Sequence, residues 1–495
     1  MAHSLQELQE KQALPLDLKI RLTQDRIRGW VHEFGESGCH ISFSGGKDST
    51  VLADIVEKMG YDIPLVYVDT GLEFPEVREF VKSYGDRVTW IKPKMNFKDV
   101  ISKYGYPMIS KEVSECVQGA RKYLTSILKE ENALTDRQTD RQTDRQTDRQ
   151  TDRTNYRYYY DKVAGIGKYQ KRGENRQQRR IPLAQTSDPA RTLMDSATTG
   201  SIADSEELAN LLNERMVHKK GGSNQRLAIM LGMFTNDKNH PIKANIPEKD
   251  KSAFSQEKYK FFLEAPFEIS NRCCNVMKKD PAHRYYKETG RTPITGQMAS
   301  ESRLRTQKWL ANGCNGFHLK IPTSNPMSFW LEQDVLAYIK TRNLPIAKPY
   351  GDIVPDYSHS IHMDGQMRFD DLDTSLGIFD LGLPLLRTTG CPRTGCTFCG
   401  FGCGIETNRY ELIDQVSNPA IRDFCMRGGA FDEDGLWKPD NRGLGMWFVI
   451  KWINIRGNFN IIIPEEERYE REYGNEETHY YLYENGVYDL RRIKK

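Results

Sequence analysis

Ser42-Phe-Ser-Gly-Gly-Lys-Asp-Ser49 stands between two segments of different periodicity. Before it, Cys39-His-Ile-Ser-Phe-Ser44 reads as a short buried strand. After it, Val51, Leu52, Ile55, Val56 and Met59 recur at three- and four-residue spacing, which predicts an amphipathic helix. A strand, a glycine turn and a helix start together make an anion site. Gly45 and Gly46 let the backbone approach a phosphate, and the first helical N–H groups and the helix dipole face it. Lys47 adds a point charge, while Ser44 and Ser49 offer hydroxyl donors. A Gly-Gly pair alone would be an ordinary tight turn; its Ser, Lys, Asp and Ser neighbours give it chemistry.

Working outward, Pro64-Leu-Val-Tyr-Val-Asp-Thr70 reads as a second buried strand that ends in Asp69-Thr70-Gly71. Glu73-Phe-Pro-Glu76 then opens a helix, and Arg87 to Pro93 forms a third strand. Residues 4–36 precede all of these as a helix, with Ile20, Ile27, Val31 and Phe34 on one face. Alternating strands and helices predict an α/β fold, a parallel sheet with helices on both faces. Ligands in such sheets sit at the carboxyl ends of the strands, which places Asp69 beside the glycine loop.

The chain has 495 residues, so more than one domain is expected. We divide it into a first nucleotide-binding part at 1–131, an insertion at 132–250, a second α/β part at 251–345 and a Cys-rich region at 346–495. A net charge of +3 says nothing global about partners. No apolar leader or spanning run is present, so the expectation is a cytoplasmic chain with no membrane partner. Ten cysteines in such a chain point to metal, cluster or redox use.

The insertion differs in kind. Thr135 to Gln150 is four Thr-Asp-Arg-Gln copies, followed by Thr151-Asp-Arg-Thr154; charges cancel, nothing is apolar, and disorder is expected. Asn155 to Ile181 carries eight Lys or Arg against two acids, interleaved with Tyr156, Tyr158, Tyr159, Tyr160 and Tyr169. That pattern suits single-stranded nucleic acid, with charge on phosphates and rings on bases. A solvated basic loop reads the same way.

Ser44–Ser49 resembles the PP-loop of the adenine-nucleotide α-hydrolase superfamily, with Asp69, Thr70 and Gly71 similar to its second nucleotide-contacting motif. The Gly-x4-Gly-Lys-Ser/Thr spacing of Walker loops is absent. Further on, Arg272-Cys-Cys-Asn-Val-Met-Lys-Lys279, Thr295-Gly296 to Glu301-Ser302 and Arg305, and the helix after Trp330 resemble the phosphoadenylyl-sulfate (PAPS) reductase family in content and order. The resemblance implies an adenine nucleotide (ATP, APS or PAPS) as substrate, bound by Ser44, Gly45, Gly46, Lys47, Asp48, Ser49, Asp69, Thr70, Gly71, Gly296, Glu301, Ser302 and Arg305. Lys47 is implied in catalysis, and magnesium could accompany the phosphates. Adenylyl-sulfate reductases hold a 4Fe–4S cluster with a Cys-Cys pair and a later Cys-x-x-Cys; Cys273, Cys274, Cys396 and Cys399 occupy those places. Thiolates suit iron–sulfur, and Lys278 and Lys279 would help keep them deprotonated. Zinc held by the 391–403 cysteines is the competing reading, since four thiolates can satisfy it.

Two departures stand out. The family's Glu-Cys-Gly nucleophile is not found in this sequence, and Gln297-Met-Ala replaces its arginine after the Thr-Gly turn. Two mechanisms therefore fit. In one, a thiolate, with Cys403 best placed in sequence, attacks the sulfur of an adenylyl sulfate. In the other, ATP adenylates an acceptor oxygen or phosphate, as of a nucleic acid, and sulfur from a thiol or sulfur-donor protein, relayed through the cysteines, displaces AMP. A non-catalytic nucleotide- and redox-sensing module is a third reading.

Overall fold

A computed structural model describes residues 3–139, 222–235, 242–243, 246–252, 254–356, 385–404, 407–484, 486 and 488. The chain forms two compact units. The first comprises Met1–Phe97, Cys274–Phe398 and Glu411–Arg422; the second comprises Lys98–Cys273, Cys399–Tyr410 and Asp423–Lys495.

A six-stranded sheet organises the first unit. Its strands are β1 (Cys39–Ser42), β2 (Leu65–Val68), β3 (Val88–Ile91), β4 (Thr292–Ile294), β5 (Asn315–Gly316) and β6 (Thr323–Ser324). They lie in the order β3-β2-β1-β4-β6-β5. Ile41 pairs with Leu65 on one side and Ile294 on the other, both in parallel. The expected parallel sheet is thus present, with one difference: β5 runs antiparallel to β6. Only a short loop, 317–322, joins them, and a parallel return needs a much longer crossover.

The leading helix is also two helices, α1 (Leu5–Gln12) and α2 (Leu16–Phe34). Pro15 caps the second and has no N–H to continue the first. Trp30, Ile41, Leu52, Leu65 and Trp330 are buried together in the core around the sheet. Lys19 and Asp334 cross that core as an ion pair at 2.6 Å, both almost fully buried.

His40, on β1, is buried with its Nδ1 3.1 Å from the Arg291 carbonyl. Burial pushes its pKa down from 6.5 to about 4. The folded state therefore holds a neutral imidazole where the unfolded chain binds a proton. Stability is full above about pH 6.5 and declines as pH falls toward 4, by up to about 3 kcal/mol. Denaturant titrations of His40→Gln should lose that part of the pH dependence. An unchanged acid slope would show that His40 is not its source.

The second unit is mainly helical. Its centre is the helix Met446–Gly457, in which Met446 through Ile450 are all buried. Tyr106 donates to the Leu444 carbonyl at 2.8 Å, and Arg121 donates to the carbonyls of Ala265 and Phe267. The helix Lys111–Thr139 spans the first Thr-Asp-Arg-Gln copy and ends on the first residue of the second, although that composition favours disorder. Extending an existing helix costs far less than nucleating one. The remaining copies and the basic–tyrosine segment at 155–181 lie outside the described residues.

The insertion read as 132–250 is also shorter than expected at its far end. Ser223–Met230 is helical, and Leu227, Ala228, Met230 and Leu231 are buried. Arg226 pairs with Glu115 of the helix Lys111–Thr139. The apolar run Leu227-Ala-Ile-Met-Leu231 was the available signal. Among the described residues, no helix is long and apolar enough to cross a membrane.

Candidate nucleotide-binding site

β1, β2 and β4 are parallel, so the loops after them meet at one edge of the sheet. Ser44–Ser49 follows β1 and runs into the helix α3 (Lys47–Lys58). Gly45 has φ +69°, and a Cβ there would lie 2.7 Å from Val81 and 2.9 Å from Val77. Backbone and space both require glycine. Ser49 Oγ donates to the Gly46 carbonyl at 2.9 Å and lies 3.1 Å from Ser44 Oγ, so the two serines close the turn.

Asp69, Thr70 and Gly71 follow β2. Asp69 accepts from the Gly71 N–H at 3.2 Å and from Arg78 at 2.9 Å. Thr70 Oγ1 donates to Glu73 at 2.7 Å. Gly296 follows β4 on the other side, and a Cβ there would come within 2.9 Å of the Asp48 carbonyl. Bare backbone at 296 is what lets this turn lie against the glycine loop. Glu301 accepts from the Met298 N–H at 2.7 Å and pairs with Arg305. Ser302 caps the helix α5 (Arg303–Asn312), the next after α4 (Pro75–Lys82) in this edge, by accepting from the Arg305 N–H.

Lys47 is almost fully buried. Its Nζ lies 2.7 Å from Glu332 and 2.5 Å from the Pro392 carbonyl. Burial alone would lower its pKa, but the charges of Glu332 and Asp48 outweigh it and hold the ammonium protonated. Burial raises the pKa of Asp48, opposed by Lys47. Asp48 Oδ1 is buried without a hydrogen-bond partner among the described residues. That orphaned oxygen is the one feature here that fits a magnesium ion.

Sequence reasoning missed Tyr350, Pro392 and Thr394. The Lys47 N–H, at the helix start where a phosphate is expected, donates to the Tyr350 hydroxyl at 3.2 Å. That hydroxyl is 2.9 Å from Thr394 Oγ1, and Cys391 N–H donates to the Pro349 carbonyl at 2.8 Å. The Thr397 N–H and Oγ1 both donate to the Leu72 carbonyl at 2.8 Å. The chain around 391–397 thus lies across the same edge. No local pattern announces these contacts, because each depends on a fold-back more than 300 residues along the chain from Lys47.

The cysteines divide. Cys274 and Cys396 are in the first unit, where Cys396 feels the charges of Lys278, Glu73 and Cys274 and hydrogen-bonds to Lys278. Burial raises the Cys396 pKa, with Lys278 opposing it. Cys273 and Cys399 fall in the second unit. Among the described residues, no three His, Cys, Asp or Glu side chains form a group able to hold a metal ion. The donor set nevertheless fits an iron–sulfur cluster in its chemistry, with Cys396 bonded to the Lys278 ammonium and within electrostatic reach of Cys274. Cys403, in the second unit, is fully buried, its Sγ 3.6 Å from the Tyr410 hydroxyl. A reactive role there requires that packing to open.

A parallel sheet with a Ser-Gly-Gly-Lys-Asp-Ser loop at its carboxyl edge defines a PP-loop α/β protein. The chain belongs to the phosphoadenosine phosphosulfate reductase domain family, whose profile matches residues 38–160 and 218–400. Shorter stretches resemble two uncharacterized proteins of Methanocaldococcus jannaschii. One is 40% identical over 70 residues, covering 13% of this chain and 17% of the relative. The other is 39% identical over 72 residues, covering 14% and 15%. The adenosine 5'-phosphosulfate reductase of Geobacillus kaustophilus is 22% identical over 117 residues, 23% of this chain and 49% of that enzyme. The chain therefore spans less than half the length of these curated relatives.

Proposed function

We propose that this chain binds an adenine nucleotide at Ser44–Ser49 and performs sulfur chemistry on it at the same edge of the sheet. The observation that carries the proposal is the fold-back of 391–397. It brings the Pro392 carbonyl to Lys47 and Thr397 to the loop after β2, so Cys396 stands beside the nucleotide motifs. Asp69, Thr70, Gly71, Gly296 and Arg305 flank the phosphates, and Asp48 would hold a magnesium ion. Cys273, Cys274, Cys396 and Cys399 would together hold a 4Fe–4S cluster, which would supply redox chemistry at this edge. Lys278 steadies the thiolates on the protein side.

The favoured reaction is cleavage of an adenylyl sulfate. A thiolate attacks the sulfur, an S–S bond forms, the S–O bond to the phosphate breaks, and the nucleotide leaves with that electron pair. A thiol reductant then releases sulfite by attacking the thiosulfonate. The burial of Cys403 supports a second reading, in which ATP adenylates an acceptor oxygen with loss of pyrophosphate. A donor persulfide then displaces AMP. The two readings differ in product. Anaerobically purified protein should release sulfite from APS or PAPS under the first, and pyrophosphate from ATP with an acceptor under the second. Release of neither product, with no nucleotide bound, would end both.

A further inference from the structure

A cleft of about 550 Å³ lies in the first unit and takes no residue from the Ser44–Ser49 loop. Its size is in the range of small-ligand sites, about 300–1,000 Å³. Lys94, His283, Arg284, Lys287 and Lys320 line it, against the single acid Asp280. In a chain whose net charge is only +3, that is a strong local excess. Lys94, Lys287 and Lys320 are exposed and make no ion pair among the described residues. Arg284 is fixed on the wall by donating to the Lys92 carbonyl at 2.7 Å. The floor is aliphatic: Val276, Pro281 and Ile321.

The helix Asp280–Thr289 places these charges in one row. Asp280, Arg284 and Lys287 follow three- and four-residue spacing and share one face. His283 and Lys287 stand about 6 Å apart along the axis, comparable with successive phosphates of an extended strand. Immediately before this helix, Asn275–Lys279 forms a π-helical turn, a device frequent at functional sites. Cys274 and Val276 are about half a turn apart, so one helical run serves both the Cys396 neighbourhood and the cleft.

A solvated surface would mix signs, and one small anion would not need so many cations. Low-dielectric walls lined mainly by one sign focus the field on a multiply charged ligand. The aliphatic floor offers no aromatic platform for bases, so recognition would not depend on sequence. We infer that this cleft seats adjacent phosphate groups, those of a single-stranded nucleic acid or of a free oligophosphate. The inference does not depend on the nucleotide reading of the PP-loop.

The test uses the full chain with two probes, a labelled oligothymidylate and inorganic tripolyphosphate, each titrated with KCl. Lys287→Glu with Lys320→Glu should lower the log–log salt slope for the oligothymidylate by about 1.4, from ~0.7 per single-strand phosphate contact. Lys122→Glu with Lys340→Glu, two exposed lysines outside the cleft, should leave it unchanged. ATP affinity should be the same in both variants, which separates this site from the PP-loop. Loss of tripolyphosphate binding alone would assign the cleft to a free oligophosphate. If neither probe responds to the cleft variant, or both variants weaken binding equally, the inference is overturned.

Discussion

Lys47→Ala is expected to weaken binding of ATP and adenylyl sulfates by about ten- to a hundredfold while the chain stays folded. A hydrogen bond to a charged group contributes about 1.5–3 kcal/mol, and 1.4 kcal/mol is a factor of ten. Lys47 is well placed to deliver that much. It is buried, held protonated by Glu332 and Asp48, and set at the start of α3 where N–H groups and dipole already favour an anion. Lys47→Arg should not restore affinity in full, since a planar fork does not reproduce the point contacts of the ammonium with Glu332 and the Pro392 carbonyl. Calorimetric titration with ATP, APS and PAPS decides the matter. Wild-type affinity in the alanine variant would remove the loop from the binding site.

Much of this edge was legible in the sequence, for physical reasons. Val51 to Met59 declare a helix by their spacing, and Gly45 declares a turn that only glycine can make, as its φ of +69° shows. The order of strands β1, β2 and β3 follows from βαβ units with short connections. What was not legible depends on long-range packing. Tyr350 reads as one more aromatic after a proline, and only the fold-back puts its hydroxyl on the Lys47 N–H. The antiparallel β5 is two residues long, too short for any period to show. The helix Lys111–Thr139 runs past the point where composition stops favouring it, because its earlier turns are packed. Leu227 to Leu231 is too short an apolar run to be told from a loop until its partner helix is known.

The cysteines carry the second large effect. Cys274 and Cys396 are 122 residues apart in sequence, yet Cys396 senses both Cys274 and Lys278. Two thiols leave an iron–sulfur cluster two ligands short. Cys273 adjoins one of them in the chain, and Cys399 follows the other after two residues. Any one of the four should therefore be indispensable, because a cluster with three thiolates is exposed to loss of iron. Cys403, buried against Tyr410, should be dispensable for the cluster. A zinc site built from 391–403 makes the opposite demand: it needs Cys391 and Cys403 and has no use for Cys273 or Cys274.

The direct measurement is iron, zinc and acid-labile sulfide per chain in anaerobically prepared protein, alongside far-ultraviolet circular dichroism to confirm folding. The account predicts four iron and four sulfide in the wild type and in Cys403→Ser. It predicts near-complete loss of both in Cys274→Ser and in Cys396→Ser, with the fold retained. Stoichiometric zinc without sulfide, unaffected by Cys274→Ser, would contradict it.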